Sequence, residues 1–132
     1  MGIGDAEHEE YGDPSRNYII RPVACPVPNR ADGAPKLSGL CKVRIRPGTR
    51  LFDIYGREEA GEEYFCNYEV NPRYAQALEA AGLRVSAVGE DGEIRAVELP
   101  DQRFFIATLF QPQLATAQPH PFVLAYLEAA AR

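Results

Sequence analysis

The side chains best suited to covalent chemistry are three cysteines, Cys25, Cys41 and Cys66, and two histidines, His8 and His120. A thiolate beside a histidine is a common nucleophile, whereas closely spaced cysteines and histidines bind zinc or form disulfides. Here the cysteines are odd in number and widely spaced, and no Cys-x-x-Cys pair is present. We therefore expect no metal site, no disulfide framework and no cofactor, and predict that the cysteines are buried free thiols.

A second candidate site follows the most apolar stretch of the sequence. Residues 104–110 read Phe-Phe-Ile-Ala-Thr-Leu-Phe and are followed by Gln-Pro-Gln at 111–113. A continuous apolar run of this length predicts a strand buried on both faces. The glutamines at its end are interpreted either as polar residues that close a strand or as groups that hydrogen-bond a small amide or carboxylate ligand. A helix is predicted over residues 122–131.

Turn residues and apolar periodicity predict the other elements of a single domain over residues 1–132. Residues 1–16 are expected to be a polar lead-in, either irregular or a short helix. Asn71-Pro72 is a favourable helix start, and Gly82 a favourable stop. Glu90-Asp91-Gly92 between two alternating segments indicates a β-hairpin. The remaining predictions are strands over 17–25, 36–46 and 63–70, a loop over 26–35, and a helical turn over 50–55 closed by Gly56.

Composition and charge restrict the classes of function. The chain has 132 residues, of which 45% are hydrophobic and 25% charged, and its net charge is −5. This acidic balance argues against nucleic-acid binding, which requires a basic surface. No apolar run reaches the roughly 20 residues of a membrane span, and the polar N-terminus does not resemble a signal peptide. We expect a cytoplasmic protein that binds neither nucleic acid nor membrane.

Taken in order, these segments resemble the second half of the glutaminase domain of CTP synthase, a class I glutamine amidotransferase. The resemblance covers about residues 36–132. It depends on Tyr68-Glu69-Val70-Asn71 before a helix, the hairpin, the Phe-Phe-x-Ala-Thr-x-Phe strand and the His-Pro-Phe start of the last helix. The implied fold is α/β and class I glutamine amidotransferase-like, a flavodoxin-like three-layer arrangement. This chain would supply only its C-terminal half, a mixed sheet with a β-hairpin and a C-terminal helix.

A narrower group is more similar still, namely stand-alone proteins related to the C-terminal region of CTP synthase, some of which are selenoproteins. The shared sequence motifs are Cys66-Asn67-Tyr68 and Phe110-Gln111-Pro112. In complete domains of this kind the nucleophile precedes the residue that matches Met1. The resemblance therefore implies that an N-terminal half is missing upstream. One hypothesis is a nucleophile encoded by UGA and read as selenocysteine; a natural truncation or a deliberately shortened chain is the alternative.

The departures from the family pattern concern the catalytic triad of Cys, His and Glu. Gln111 stands at the position of the His, and Gln113 at that of the Glu. An amide is not basic enough to act as general base and cannot stabilise an imidazolium. No Gly-x-Cys-x-Gly nucleophile elbow is present, and Asn67 replaces an arginine that helps hold the substrate. The resemblance therefore predicts a chain that does not hydrolyse glutamine by itself.

The resemblance also places a remnant substrate pocket at Cys66, Asn67, Tyr68 and Gln111, where a small amide or amino-acid ligand would bind. The alternative is that Cys66 is a half-buried strand residue and Tyr68 serves packing and strand pairing. His120 matches a structural histidine of the family.

The preferred function is a binding or structural unit, or the C-terminal part of a longer protein. The alternative is a full-length enzyme with an upstream Cys or selenocysteine and amidotransferase, hydrolase or redox chemistry. A half-domain would expose apolar surface, so a homo-oligomer joined through the uncovered side of the sheet is expected.

Overall fold

A computed structural model describes residues 2–12, 17–24, 26–115 and 118–131 of the chain. Within these residues, eight strands and three α-helices alternate with three short 3₁₀ turns. The strands are β1 (Ala6–His8), β2 (Asn17–Pro22), β3 (Leu37–Ile45), β4 (Glu59–Cys66), β5 (Tyr68–Val70), β6 (Arg84–Val88), β7 (Ile94–Glu98) and β8 (Ile106–Thr108). The helices are α1 (Arg50–Tyr55), α2 (Ala75–Ala80) and α3 (Pro121–Ala130), and the 3₁₀ turns are Glu9–Tyr11, Pro72–Tyr74 and Pro112–Leu114.

The strands form two sheets of different size. The larger has the order β4-β3-β6-β7-β8, and all of its neighbouring strands are antiparallel. The smaller has the order β1-β2-β5, with β1 parallel to β2 and β2 antiparallel to β5. The prediction of an α/β fold with a mixed sheet, a β-hairpin and a C-terminal helix is therefore confirmed.

The helix boundaries follow the capping residues that the sequence offers. The Thr49 hydroxyl accepts a hydrogen bond from Phe52 N at 3.1 Å, and α1 ends at Gly56 in the left-handed region, with a φ of 65°. Asn71 caps the next helical segment by accepting from Arg73 N at 3.1 Å. Both helix starts agree with the sequence predictions. The Asn71–Gly82 segment begins as a 3₁₀ turn before it becomes α2.

Three sequence predictions are corrected by the structure. The N-terminal segment contains β1 and a 3₁₀ turn rather than an irregular lead-in or helix, because Ala6–His8 pairs with β2. The strand predicted over residues 63–70 is two strands, β4 and β5, separated at Asn67. β4 begins earlier than predicted, at Glu59, because nearly all of it pairs with β3. Cys25 lies outside the described residues.

The third correction concerns residues 104–110, which were predicted to be a strand buried on both faces. Only Ile106–Thr108 form a strand, and Phe105 is 43% exposed. The strand lies at an edge of the sheet, so it pairs with β7 alone. The chain then crosses to the opposite edge, where Gln111 N donates to the Glu63 carbonyl of β4 at 2.8 Å. This crossing brings the end of the apolar run beside β4 and forms the candidate site.

Two apolar clusters hold the helices against the sheets. Among the described residues, the larger contains ten that are buried, including Leu51, Tyr64 and Phe110, and Phe122 of α3 packs against it. The smaller joins Leu78 of α2 to the β6–β7 hairpin. α3 packs less completely than the other helices, because none of its described residues is buried.

Candidate functional site

A cleft of about 420 Å³ lies where β4, β8 and α3 meet. We call it the amide cleft, since glutamine side chains form part of its wall. It is lined by Cys66, Ile106, Thr108, Leu109, Phe110, Gln111, Pro112, Gln113, Phe122 and Val123. The lining is apolar except for one thiol, one hydroxyl and two amides. Such a cleft suits a small ligand with an apolar stem and a few hydrogen-bonding groups.

Cys66 enters the cleft from the last position of β4. Its side chain is half-buried, and its thiol donates to the Leu109 carbonyl at 3.2 Å. This hydrogen bond requires the protonated thiol, whereas nucleophilic attack requires the thiolate. No imidazole is found among the residues that line the amide cleft. The geometry therefore favours a structural or ligand-contacting role for Cys66 over a nucleophilic one.

Gln111 is held in place by two hydrogen bonds to β4. Its backbone N donates to the Glu63 carbonyl at 2.8 Å, and its side-chain Nε2 donates to the Phe65 carbonyl at 3.2 Å. An amide that donates through nitrogen keeps an oxygen with which it can accept from a ligand. Gln113 is exposed at the rim of the cleft, in the 3₁₀ turn Pro112–Leu114. Neither side chain can supply the base that amide hydrolysis needs.

The predicted remnant pocket is only partly assembled. Cys66 and Gln111 meet in the amide cleft, but Asn67 and Tyr68 are not among the residues that line it. Asn67 Oδ1 accepts from Lys36 N at 2.9 Å, and its carbonyl accepts from Val23 N at 2.9 Å. The Tyr68 ring packs on His8, with the ring centroids 4.5 Å apart. Asn67 thus joins loop segments where β4 is interrupted, and Tyr68 secures the N-terminal strand.

The structure brings together three titratable residues that we call the His120 network: Tyr55, Glu62 and His120. His120 Nε2 lies 3.0 Å from Glu62 Oε2, and Tyr55 OH donates to Glu62 Oε1 at 2.8 Å. The side chains of Glu62 and His120 are 6% and 9% exposed. Burial and the Glu62 carboxylate raise the pKa of Tyr55, so its hydroxyl remains a donor.

The hydrogen bonds of His120 determine its tautomer. Phe122 N donates to His120 Nδ1 at 3.2 Å, so Nδ1 carries a lone pair. Nε2 faces both oxygens of Glu62, at 3.0 and 3.2 Å, and must therefore carry the proton. Both ring nitrogens are hydrogen-bonded within the protein, so neither is directed at a ligand from which it could take a proton. This agrees with the structural role that the family resemblance implied for His120.

A second cleft, of about 470 Å³, lies above this network. Its wall includes Glu62, Glu63, Gln111, Gln118 and His120, together with Leu40 and Leu114. Sequence reasoning missed Glu62 as a functional neighbour of His120, because the two are separated by 58 residues. Glu62 also lies one position before the strand predicted over residues 63–70, so no local pattern indicated that its side chain faces inward.

Cys41 lies apart from both glutamine positions. It lines a smaller cleft of about 220 Å³ together with Lys42, Glu93 and Arg95. Burial raises the pKa of the Cys41 thiol, with Glu63 and Glu90 adding to the effect and Arg95 opposing it. A raised pKa disfavours the thiolate, so Cys41 is not an activated nucleophile.

Two absences concern the residues that the structure describes. No group of three or more His, Cys, Asp or Glu side chains there has the arrangement of a metal site. No described helix is long and apolar enough to cross a membrane.

The arrangement of sheets and helices is that of a class I glutamine amidotransferase-like domain. The chain superposes on a solved glutaminase domain of Trypanosoma brucei CTPS with bound acivicin, with a TM-score of 0.84 and 31% sequence identity. The match covers 98% of this chain and 52% of the solved chain. The fold predicted from the sequence resemblance is thereby confirmed.

Sequence comparison identifies the same relatives. The chain is 37% identical to a CTP synthase of Saccharolobus solfataricus over 133 residues, and 33% identical to one of Staphylococcus aureus over 136 residues. These alignments cover 99% and 98% of this chain but only 25% of each relative. No family model matches the chain. The chain is homologous to the C-terminal glutaminase portion of CTP synthases, and it spans about a quarter of their length.

Proposed function

We propose that this chain is a CTP synthase-related domain that binds a small amide- or carboxylate-bearing amino acid without hydrolysing it. The observation that carries the proposal is the set of side chains that line the amide cleft. The two positions that match the family's catalytic His and Glu hold Gln111 and Gln113, and the thiol beside them is engaged with a carbonyl. These groups can donate to and accept from a ligand, but they cannot generate a nucleophile.

Calorimetric titration with L-glutamine and L-glutamate tests this proposal. We expect binding to the wild-type chain and at least tenfold weaker binding to Gln111→Leu, because the variant loses an amide that contacts the ligand. Gln76→Leu is the matched control, since Gln76 is exposed on α2, outside the residues that line the cleft. Equal affinity in all three proteins, or ammonia release by the wild type, would contradict the proposal.

The same domain is proposed to form a homodimer through α3 and the neighbouring edge of the sheet. On α3, Leu124, Tyr126 and Leu127 are 47%, 55% and 56% exposed. A helix that is apolar on all sides is usually buried on all sides. A second copy would cover this surface, and a twofold axis is the commonest way to do so.

Sedimentation equilibrium at micromolar concentration tests the dimer. Leu127→Lys would place a charge in the proposed interface and is expected to give a monomer. Tyr11→Lys is the matched control, because Tyr11 is 81% exposed in the 3₁₀ turn Glu9–Tyr11, which belongs to neither α3 nor the large sheet. A monomeric wild type, or dissociation of the dimer by both variants alike, would exclude this interface.

A second candidate function is favoured by the partial coverage of the matched domain. The chain aligns with 52% of the solved glutaminase domain. Another segment could therefore supply a Cys or selenocysteine nucleophile beside Cys66, giving an amidotransferase, hydrolase or redox enzyme of which this chain is the C-terminal part. The genomic reading frame upstream of Met1 tests this candidate. An in-frame elbow with a Cys codon or an internal UGA would support it, and the lack of such a segment would remove it.

A further inference from the structure

We propose that His120 is a proton-sensitive clamp that attaches the first turn of α3 to β4 only while its imidazole is neutral. The proposal concerns a positioning role, and it reaches beyond the binding function because the clamp exists with or without a ligand. Its effect on ligand affinity rests on the function proposed above.

The clamp joins two elements through one side chain. His120 is the N-cap of α3, where its Nδ1 accepts from Phe122 N at 3.2 Å. Its Nε2–H reaches Glu62 on β4, and Glu62 is in turn held by Tyr55 of α1 at 2.8 Å. α1, β4 and α3 therefore meet at one hydrogen-bonded centre.

Protonation would disrupt one side of this centre and strengthen the other. A proton taken up from solvent must bind Nδ1, because Nε2 already carries one. Nδ1–H would then face Phe122 N–H, so that two donors oppose each other and the helix loses its cap. A positive charge at a helix N-terminus is also unfavourable, whereas the charged ring would bind Glu62 more strongly. The first turn of α3 would be released while His120 stayed on β4.

The charged groups around the network do not provide an alternative cap. On the described elements packed against it they are Arg50 and Asp53 of α1, Arg57 beyond it, Glu59, Glu62 and Glu63 of β4, and Glu128 of α3. Arg50 is engaged by the carbonyls of Gln102 and Arg103. Glu128 lies two turns away from the N-cap. Among the titratable side chains of the described residues, Tyr55 and Glu62 are those that contact the His120 ring.

The clamp has a consequence for the amide cleft. Phe122 and Val123, in the turn that His120 caps, form one wall of that cleft. More frequent fraying of the turn would loosen this wall, although Phe122 still packs on the larger apolar cluster, and would weaken any ligand bound against it. A lower pH would therefore reduce both the protection of α3 and the affinity of the cleft.

Amide hydrogen exchange measured by NMR between pH 8 and pH 5 tests the clamp without any ligand. After correction for intrinsic rates, the amides of Phe122–Tyr126 should lose about five- to tenfold of their protection at low pH, the loss expected for one N-cap. Amides of β3 serve as the internal reference for global stability. The imidazole ¹⁵N shifts at pH 8 should report a protonated Nε2 and an unprotonated Nδ1.

Two variants give the matched comparison. His120→Asn retains an acceptor at the N-cap but has no group that binds a proton near neutral pH, so the protection of α3 should no longer depend on pH. His8→Asn is the control, because His8 Nδ1 likewise accepts from Glu10 N, at 3.1 Å, at the start of a different turn. It should behave as the wild type. Protection that does not depend on pH in the wild type, the same dependence in His120→Asn, or a protonated Nδ1 at pH 8 would each overturn the clamp.

Titration with L-glutamine distinguishes failure of the clamp from failure of the proposed binding function. If L-glutamine binds, its affinity should fall at pH 5 for the wild type and stay constant for His120→Asn. If L-glutamine fails to bind at any pH while the exchange pattern holds, the clamp stands and the binding function fails. An affinity that changes equally with pH in both proteins would refute the link between clamp and cleft.

Discussion

Replacing Glu69 with glutamine should remove a substantial part of the stability of this domain. The Glu69 residue is 1% exposed on β5. Its Oε1 accepts from Arg21 Nη2 at 3.1 Å and from Ala24 N at 3.2 Å, and its Oε2 accepts from Arg95 Nη1 at 3.3 Å. Glu69 thus links the small sheet, through Arg21 of β2, to β7 of the large sheet.

The expected magnitude follows from the burial of the partners. The Arg95 side chain is 6% exposed, so loss of the carboxylate leaves a buried cation with less compensation. Breaking a buried ion pair on one side costs about 3–5 kcal/mol, and we expect the lower end because glutamine retains one acceptor oxygen. With an m-value of about 1.5 kcal/mol/M, the urea midpoint should fall by about 2 M.

Urea unfolding followed by circular dichroism provides the assay, and Glu59→Gln is the control. Glu59 pairs with Lys42 at 2.9 Å, but the two side chains are 56% and 48% exposed. An exposed pair contributes about 1 kcal/mol or less, so this variant should shift the midpoint by a few tenths of a molar. A Glu69→Gln midpoint within 0.3 M of the Glu59→Gln midpoint, roughly the shift of an exposed pair, would refute the reasoning.

Three further predictions concern a helix cap, catalysis and thiol reactivity. Glu98→Gln should destabilise the domain by about 1–3 kcal/mol in the same unfolding assay. The reason is that the buried Glu98 carboxylate accepts hydrogen bonds from two backbone N–H groups at the start of α1. An unchanged urea midpoint would contradict this prediction. The double variant Gln111→His and Gln113→Glu should release no ammonia from glutamine above background in a coupled assay, since no activated thiol lies beside them, and turnover that depends on Cys66 would contradict it. Alkylation of Cys41 by iodoacetamide should accelerate at a higher pH than that of a free cysteine peptide, because burial raises the pKa of the Cys41 thiol, and a coincident profile would argue against it.

Local sequence signals predicted the elements whose stability depends on neighbouring residues. The hairpin between β6 and β7 was predicted from Glu90-Asp91-Gly92, and Gly92 adopts a φ of 88°, which favours glycine. The start of the helical segment after Asn71 was predicted from its cap. In each case the residues that determine the conformation lie within a few positions of one another.

Signals that depend on distant pairing were less informative. Nothing within residues 1–16 predicts β1, because its pairing partner is another strand that begins at Asn17. The apolar run at 104–110 was expected to be central, yet its place at the edge of the sheet depends on the order of all five strands. Sequence alone also could not show that Asn67 contacts Lys36 instead of the cleft.

The candidate site likewise has one part that was predicted from the sequence and another that depends on contacts between distant residues. The family resemblance predicted Cys66 and Gln111 as neighbours, and both line the amide cleft. The contact between Glu62 and His120 joins two residues that no local pattern relates. Its consequence for the tautomer of His120 follows only from the geometry of both ring nitrogens.

One NMR titration tests the central claim most directly. The ¹⁵N-labelled chain is titrated with L-glutamine labelled at its side-chain amide, and the spectra record both the protein amides and the ligand amide. We predict shifts at Cys66, Gln111 and Phe122, with the glutamine amide signal undiminished after hours of incubation. Loss of that signal, or shifts confined to residues outside the amide cleft, would contradict the account of a domain that binds an amino acid without hydrolysing it.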